Sequence, residues 1–293
     1  MSDIKKIEAL KNEYSNIEIP SELDDIITNT VKTEKKGLNK MYLGRTGIAA
    51  AVLIATFTSA VNISPTFAEN MSNIPVVSSI VKLVNFKTYT AENGNMEANI
   101  NVAQVEGLEN KELENQLNNE FIKEGQKEYG EFLKEMKALE GEDNHKSVET
   151  SYQVKTDNDS VYSIVYTKFE ASGSSDTQYK AYTIDKKNQA VVSLKSLFKD
   201  SSYVDVISDY IKDNMRKEMK ADDSKVYFID STDPTDENFD KIKADQTFYI
   251  NNDGKIVIMF NKYEVAPGYM GAPEFVIPSD VVKNILIDRG LVK

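Results

Sequence analysis

Thr46-Gly-Ile-Ala-Ala-Ala-Val-Leu-Ile-Ala-Thr-Phe-Thr-Ser-Ala-Val-Asn-Ile-Ser-Pro-Thr-Phe-Ala68 carries no charged side chain and divides a 293-residue chain into a short leading piece and a long trailing one. As a helix this stretch would run roughly 34 Å, enough to cross a hydrocarbon core of about 30 Å. No other stretch is both long and apolar enough to span. The flank before it is basic, with Lys32, Lys35, Lys36, Lys40 and Arg45 against Glu34 alone, and the first charge after it is Glu69. That asymmetry predicts a single-pass protein with a cytoplasmic N-terminus and an extracellular remainder. The first 45 residues hold eight acids and eight bases, so the formal charge of −12 falls wholly on the outer side.

Pro65 disfavours helix at Ser64 and lacks a backbone donor, so the helix is expected to end near Ile63 and leave Pro65 to Ala68 extended. Thr66-Phe67-Ala68 has the small-x-small pattern of a signal-peptidase site, and a protease needs an extended substrate. A cleaved secretory leader is the alternative reading of the stretch. The 45 residues in front of it favour an anchor, because a complete leader is usually about 15–30 residues.

Cysteine is absent and His145 is the only histidine, placed in the polar connection Glu142-Asp143-Asn144-His145-Lys146. Disulfides, a thiol nucleophile and a thiolate metal site are excluded, and neither a zinc enzyme nor a Ser-His-Asp hydrolase is readily assembled. No cofactor or metal is expected. The acidic exterior argues against nucleic acid and favours a basic partner, held by an attraction that weakens with salt.

In the leading piece, Ile4, Ile7, Leu10 and Tyr14 recur at helical spacing, and Ile17, Ile19 and Pro20 end the pattern. Ser21-Glu22-Leu23-Asp24 resembles a capping box opening a second short helix with Leu23, Ile26, Ile27 and Val31 on one face. Two helices this short cannot build a core. They are either a disordered tail or a segment that folds on a cytoplasmic partner.

Beyond the span, Ile74 to Phe86 is apolar. Phe86 to Thr90 and Asn95 to Val105 read as strands joined at Asn93-Gly94, a hairpin signal. Residues 109–140 are a long amphipathic helix with Leu113, Leu117, Phe121, Ile122, Tyr129, Phe132, Leu133, Met136 and Leu139 inward, stopped at Gly141. Residues 149–193 then alternate. Tyr162, Ile164 and Tyr166 share one strand face, Val161, Val165 and Phe169 the other. Ala171-Ser172-Gly173-Ser174-Ser175-Asp176 reads as a flexible hairpin loop before a strand from Thr177 to Ile184. Residues 201–220 form a helix with Val204, Ile207, Ile211 and Met215 inward. The acidic stretch 230–240 lacks the spacing of a calcium loop and reads as solvated. Phe248 to Ile250 and Lys255 to Phe260 form a hairpin, and a last helix starts near Ser279 with Val281, Val282, Ile285 and Leu286. The fold class is α+β: two small antiparallel-sheet-plus-helix domains, 86–193 and 194–293, following a cytoplasmic segment 1–45, a membrane helix 46–66 and a linker 67–85.

The most unusual segment is Phe260 to Pro278, which packs prolines, Gly268, Gly271 and the exposed-looking Tyr269 and Met270 into one loop. A rigid loop presenting an aromatic makes a good recognition tip. A structural crossover covering the sheet edge is the alternative.

Tyr263-Glu264-Val265-Ala266-Pro267-Gly268-Tyr269 and the closing Glu274-Phe275-Val276-Ile277-Pro278 resemble the C-terminal domain of RsiV-type anti-sigma factors. Leu10-Lys11-Asn12-Glu13-Tyr14, Ile19-Pro20-Ser21-Glu22-Leu23 and Asn62-Ile63-Ser64-Pro65-Thr66-Phe67-Ala68 resemble the same family, as does the order of the pieces. The resemblance implies a membrane receptor without enzymatic activity. Its cytoplasmic segment, through Leu10, Tyr14, Leu23, Ile26 and Ile27, would hold an extracytoplasmic-function sigma factor. Its outer part would bind lysozyme, a basic protein, through Pro267, Gly268, Tyr269 and Met270, with Ser172 in support. Binding would expose the bond between Ala68 and Glu69 to signal peptidase, with Ala60 the alternative site. An intramembrane site-2 protease would then free the sigma factor. The competing expectations are an anchored or secreted lysozyme-binding inhibitor module without signalling, a cell-wall enzyme, for which no catalytic constellation is evident, and a structural membrane protein.

Overall fold

Alternation along Met96, Ala98 and Ile100 builds strand β2, Met96–Glu106, which pairs antiparallel with β1, Lys82–Asn93, in the computed structural model. The structure describes residues 81–140, 144–232, 237–287 and 289–293. The segment expected to be cytoplasmic, the expected span, the Ala68–Glu69 junction, the run Ile74 to Ile80, the expected helix stop Gly141, and Asp233 and Asp236 of the acidic stretch lie outside them. Among the described residues no helix is long and apolar enough to cross a membrane.

The first hairpin turns on Gly94-Asn95 rather than Asn93-Gly94, because Asn93 already pairs with Met96. Gly94 takes φ 60°, the positive first position of a type II′ turn. A bulge between Asn85 and Lys87 breaks the ladder and leaves Phe86 exposed. The chain then enters helix α1, Lys111–Ala138. Asn110 caps it by accepting from the Leu113 N–H at 3.1 Å, and Glu112 and Glu114 complement the positive end of the helix dipole. Of the predicted stripe, Leu113, Leu117, Phe121 and Phe132 are fully buried. Asn118 reaches from the helix to the backbone of Val105, accepting from its N–H at 2.7 Å and donating to its carbonyl at 2.9 Å.

The helix is a crossover, so β3, Lys146–Asp157, lies parallel to β2. The antiparallel strands β4, Val161–Ser172, β5, Ser174–Asp185, and β6, Ala190–Val192, complete a sheet in the order β1-β2-β3-β4-β5-β6. β1 forms one edge. Ala171 to Asp176 is not a loose loop. Ala171 pairs with Ser175 and Ser172 with Ser174, leaving Gly173 alone at the tip with φ 71°. A single residue in the left-handed region turns the chain, so the ladder runs to the end.

The other face of β4 and β5 carries a second sheet. After a short 3₁₀ turn at Leu194–Leu197 come helix α2, Tyr203–Ala221, strands β7, Phe248–Ile250, β8, Ile256–Met259, and β9, Glu274–Ile277, and the short helix α3, Ser279–Val282. Phe248, Ile250, Ile256, Ile258, Phe275 and Ile277 face Ile207, Ile211 and Met215 of α2. The alternate residues Val257 and Met259, with Tyr249, face Val165 of β4. The layers are therefore α1, the six-stranded sheet, the three-stranded sheet, and α2 with α3. Thr156 and Ser163 both donate to the Ile250 carbonyl, at 2.6 and 3.2 Å, and tie the sheets together. The last helix is shorter than its pattern predicts. Leu286 bridges Phe198, the Ile287 N–H donates to the Leu197 carbonyl, and the Ile285 carbonyl accepts from Lys199. These backbone groups pair with the 3₁₀ region instead of continuing the helix.

α1 rests on the sheet through ion pairs: Lys168 of β4 with Glu128 at 2.5 Å, Lys180 of β5 with Glu124 at 2.7 Å, and Lys146 of β3 with Glu135 at 2.6 Å, while Lys146 also pairs with Glu170 of β4 at 2.6 Å. Partial burial pushes the Glu170 carboxyl up. The Lys146 ammonium that donates to it, with the charge of Lys168, outweighs burial and holds the group below its usual 4.5. A carboxyl depressed in the fold adds stability that is full above its unfolded value and lost as pH falls through its folded value. Glu170→Gln is expected to flatten the loss of stability on acidification below about pH 4.5, by under about 1 kcal/mol because solvent screens the group. Urea midpoints followed from neutral to acid pH test this, and an acid limb identical to that of the parent chain would refute it.

Candidate functional site

The site begins where β8 ends. Phe260 is buried, and its N–H donates to the Pro273 carbonyl at 3.0 Å, closing the loop at its base. The next two residues are stitched along β5. The Tyr179 N–H donates to the Asn261 side-chain oxygen at 2.8 Å, and the Lys262 N–H donates to the Thr177 carbonyl at 3.0 Å. The Lys262 ammonium reaches the Ser175 carbonyl and hydroxyl, at 2.8 and 2.6 Å. The loop thus occupies the stretch of β5 edge that short β6, paired only with Thr183 to Asp185, leaves open.

Glu264 closes the turn, accepting from the Asn261 N–H at 2.9 Å and from the Lys243 ammonium at 2.9 Å. Val265 and Ala266 then plunge into the core around α2. Pro267 leads back out into a 3₁₀ turn, Gly268–Met270, closed by the Met270 N–H on the Pro267 carbonyl at 2.9 Å. Gly271, at φ 72°, returns the chain to β9. Tyr269 stands 69 % exposed, the most of any large apolar side chain among the described residues. Met270 differs from its sequence expectation: it packs against the core and anchors the turn.

Ser172 and the loop Pro267–Met270 are far apart in sequence, yet the structure links them. The Tyr263 hydroxyl and the Ser174 Oγ lie 2.8 Å apart, so the β4–β5 tip and the loop share one hydrogen bond. Tyr263 has φ 68°, and its ring lies where any side chain on Gly268 would have to go. The Lys262 ammonium sits 5.0 Å from the same ring centroid. The result is a braced projection: Tyr269 points to solvent, the half-exposed Tyr263 lies against Gly268 of the same turn, and the hairpin tip is bonded to Tyr263.

On the hairpin's other flank lies an open cleft of about 620 Å³, lined by Asn95, Glu97, Ser147, Ser174 and Ser175 among others. His145 stands at its rim, 3.2 Å from the Asn95 amide. Its walls mix polar and apolar surface, and in them the Ser147 hydroxyl donates to the Glu97 carboxylate at 3.0 Å. Among the described residues no cluster of His, Cys, Asp or Glu is arranged to hold a metal.

The proposed sigma-binding residues Leu10, Tyr14, Leu23, Ile26 and Ile27 and the junction Ala68–Glu69 lie outside the described residues. Sequence reasoning missed Tyr263, Ser174 and Lys262. The signal for Lys262 was absent, since a lysine in a loop reads as solvated. Gly268 carried half of the signal for Tyr263, because a glycine beside aromatics marks a close approach.

Residues 195–280 match a family described as a protein of unknown function, DUF3298, and residues 38–159 a domain of unknown function, DUF4179. Anti-sigma-V factor RsiV of Bacillus subtilis (strain 168) is 41% identical over 290 residues, covering 99% of each chain. Peptidoglycan-N-acetylmuramic acid deacetylase PdaC of the same organism is 27% identical over 171 residues, 56% of this chain and 35% of that protein. A crystal structure of a DUF3298-family protein from Bacteroides fragilis superposes with a TM-score of 0.56 at 16% identity, covering 73% of this chain and 96% of that one, which supports the fold alone.

Proposed function

We propose, from the premise that this chain belongs to the RsiV-type anti-sigma factors, that it holds an extracytoplasmic-function sigma factor at the membrane and releases it by proteolysis when lysozyme binds outside. The observation that carries the reading is the similarity to an anti-sigma factor across 99% of both chains, which takes in the leading piece as well as the described fold. Leu10, Tyr14, Leu23, Ile26 and Ile27 would contact the sigma factor. Pro267, Gly268, Tyr269 and Ser172 would contact lysozyme, with Met270 seating the turn from below. A basic ligand suits an exterior that carries the whole net charge of −12. The role is regulatory and non-catalytic.

The end of the linker supports a hidden cut site. Val81 is buried with Val105, Leu108 and Leu113, and residues 82–86 already belong to β1. The run Ile74 to Phe86 would therefore dock on the fold and cover the Ala68–Glu69 bond just before it. A ligand that shifts that docking by a few kcal/mol would change the bond's exposure to signal peptidase greatly, and a site-2 protease would act next within the span.

The test uses the full chain in membranes with its co-produced sigma factor. Deleting residues 1–40 is expected to move the sigma factor to the soluble fraction and switch its promoters on. Adding a basic lysozyme to the intact chain is expected to give a fragment beginning at Glu69 and the same switch. A sigma factor that stays soluble beside the intact chain would sink the anti-sigma role. An unclipped chain that still binds lysozyme would favour the inhibitor reading.

A further inference from the structure

We infer that Tyr263 is a positioning residue that locks the β4–β5 hairpin tip and the Gly268–Met270 turn into one preformed surface. Its backbone sits at φ 68°, a region that only glycine enters without cost. Such a conformation persists where the surroundings hold it, and here they do. The hydroxyl bonds Ser174 at 2.8 Å, across 89 residues of sequence. The ring fills the space that Gly268 leaves by having no side chain. The Lys262 ammonium stands by the ring while it binds the Ser175 carbonyl and hydroxyl. Ser174 belongs to the tip and Gly268 to the turn, and Lys262, next to Tyr263 in the chain, reaches the tip as well.

Without this brace the tip keeps only its hairpin pairing and the Lys262–Ser175 bonds, and the turn keeps only its core anchor. A ligand spanning both would then have to order them on arrival, which lowers affinity without removing any direct contact. Only the binding arm of the inference rests on the lysozyme reading; the bracing of the free protein does not.

The experiment follows amide exchange and lysozyme binding in the full chain in detergent. Tyr263→Phe and Ser174→Ala each remove one half of the same hydrogen bond, from side chains that are not core residues. Each is expected to speed exchange at the Lys262 and Tyr179 amides by about tenfold, with the double variant no worse than either. Binding of a basic lysozyme is expected to weaken about 5–10-fold, through faster dissociation. Gly268→Ala should expel the ring and give the same phenotype, yet add nothing to Tyr263→Ala, where no ring is left to displace. Unchanged exchange in both single variants, or a Gly268→Ala effect of equal size with and without Tyr263, would overturn the inference. If the parent chain fails to bind lysozyme, the exchange results still decide the bracing, and only the choice of ligand falls.

Discussion

Tyr269→Ala is expected to weaken binding of a basic lysozyme by about 30–100-fold, with the thermal midpoint of the protein unmoved. The side chain stands 69 % exposed, and the turn beneath it is closed by backbone bonds from Met270 and Gly271 in which the phenol takes no part. Removing it therefore takes contact area from a partner and little from the fold. A tyrosine on a braced turn is the type of side chain that dominates interfaces, since it presents a large, amphipathic area at small entropic cost. Because the phenol is uncharged, the loss belongs in the dissociation rate. The salt dependence of association, set by the acidic charge of the chain, should not change. Surface plasmon resonance of the full chain at two salt concentrations reads both rates. Unaltered affinity would move the contact elsewhere on the projection, and a fall in thermal midpoint would assign the effect to folding.

Gly125→Ala should destabilise the protein, against its intrinsic propensity. In an exposed helix the change gains about 1 kcal/mol. Gly125 is buried at the point where α1 crosses β2, and a β-carbon there would overlap Val102 Cγ2, with Ile100 Cγ2 a near neighbour. Valine has little rotameric freedom to yield, and Val102 is itself buried in the core. Overpacking of this type costs about 1–3 kcal/mol. The helix would have to lift from the sheet, loosening Phe121, whose ring meets Tyr152 and Tyr182 at 4.9 and 5.0 Å. Denaturant midpoints are expected to fall for Gly125→Ala and to recover to some extent when Val102→Ala is added, so that the pair costs less than the sum of the two. A midpoint that rises in Gly125→Ala would show that the interface has slack and refute the close approach.

Much of the fold could be read from periodicity. The three-and-four spacing from Leu113 to Phe132 marks α1, and the alternation of Tyr162, Ile164 and Tyr166 puts those residues on the face that meets it. Two things were not legible. Glu120, Glu124 and Glu128 recur every four residues and look like a solvated face. In the fold they stand over β4 and β5, which send up Lys168, Lys180 and Tyr182 to meet them. Burial pushes the Glu120 carboxyl up despite the hydrogen bond it accepts from Tyr182. A helix pattern reports only its apolar stripe, and charges beside that stripe can be met by a sheet wider than the stripe. The second is the hairpin tip. Ala171 to Asp176 has the composition of a mobile loop, and its order comes from pairing within the hairpin and from Asn261, Lys262 and Tyr263, far along the chain. Local sequence carries no record of such distant partners. The aromatic tip at Tyr269 could be singled out because Pro267, Gly268 and Gly271 punctuate it; the tyrosine that braces it could not.

The position of β1 has a mechanical consequence. As an edge strand it is bonded on one side only, and its first residue, Lys82, pairs with Glu106, the last residue of β2. Tension on the incoming chain, directed away from β2, falls on that first rung alone. Rungs loaded in sequence open singly under small force, as a zipper does, whereas strands pulled along their length must break all their bonds together. Val81, buried beside Leu108, is the first tooth to be drawn. The described fold is thus joined to the preceding segment at an edge strand that opens rung by rung, at the far side of the sheet from the braced projection on β4 and β5.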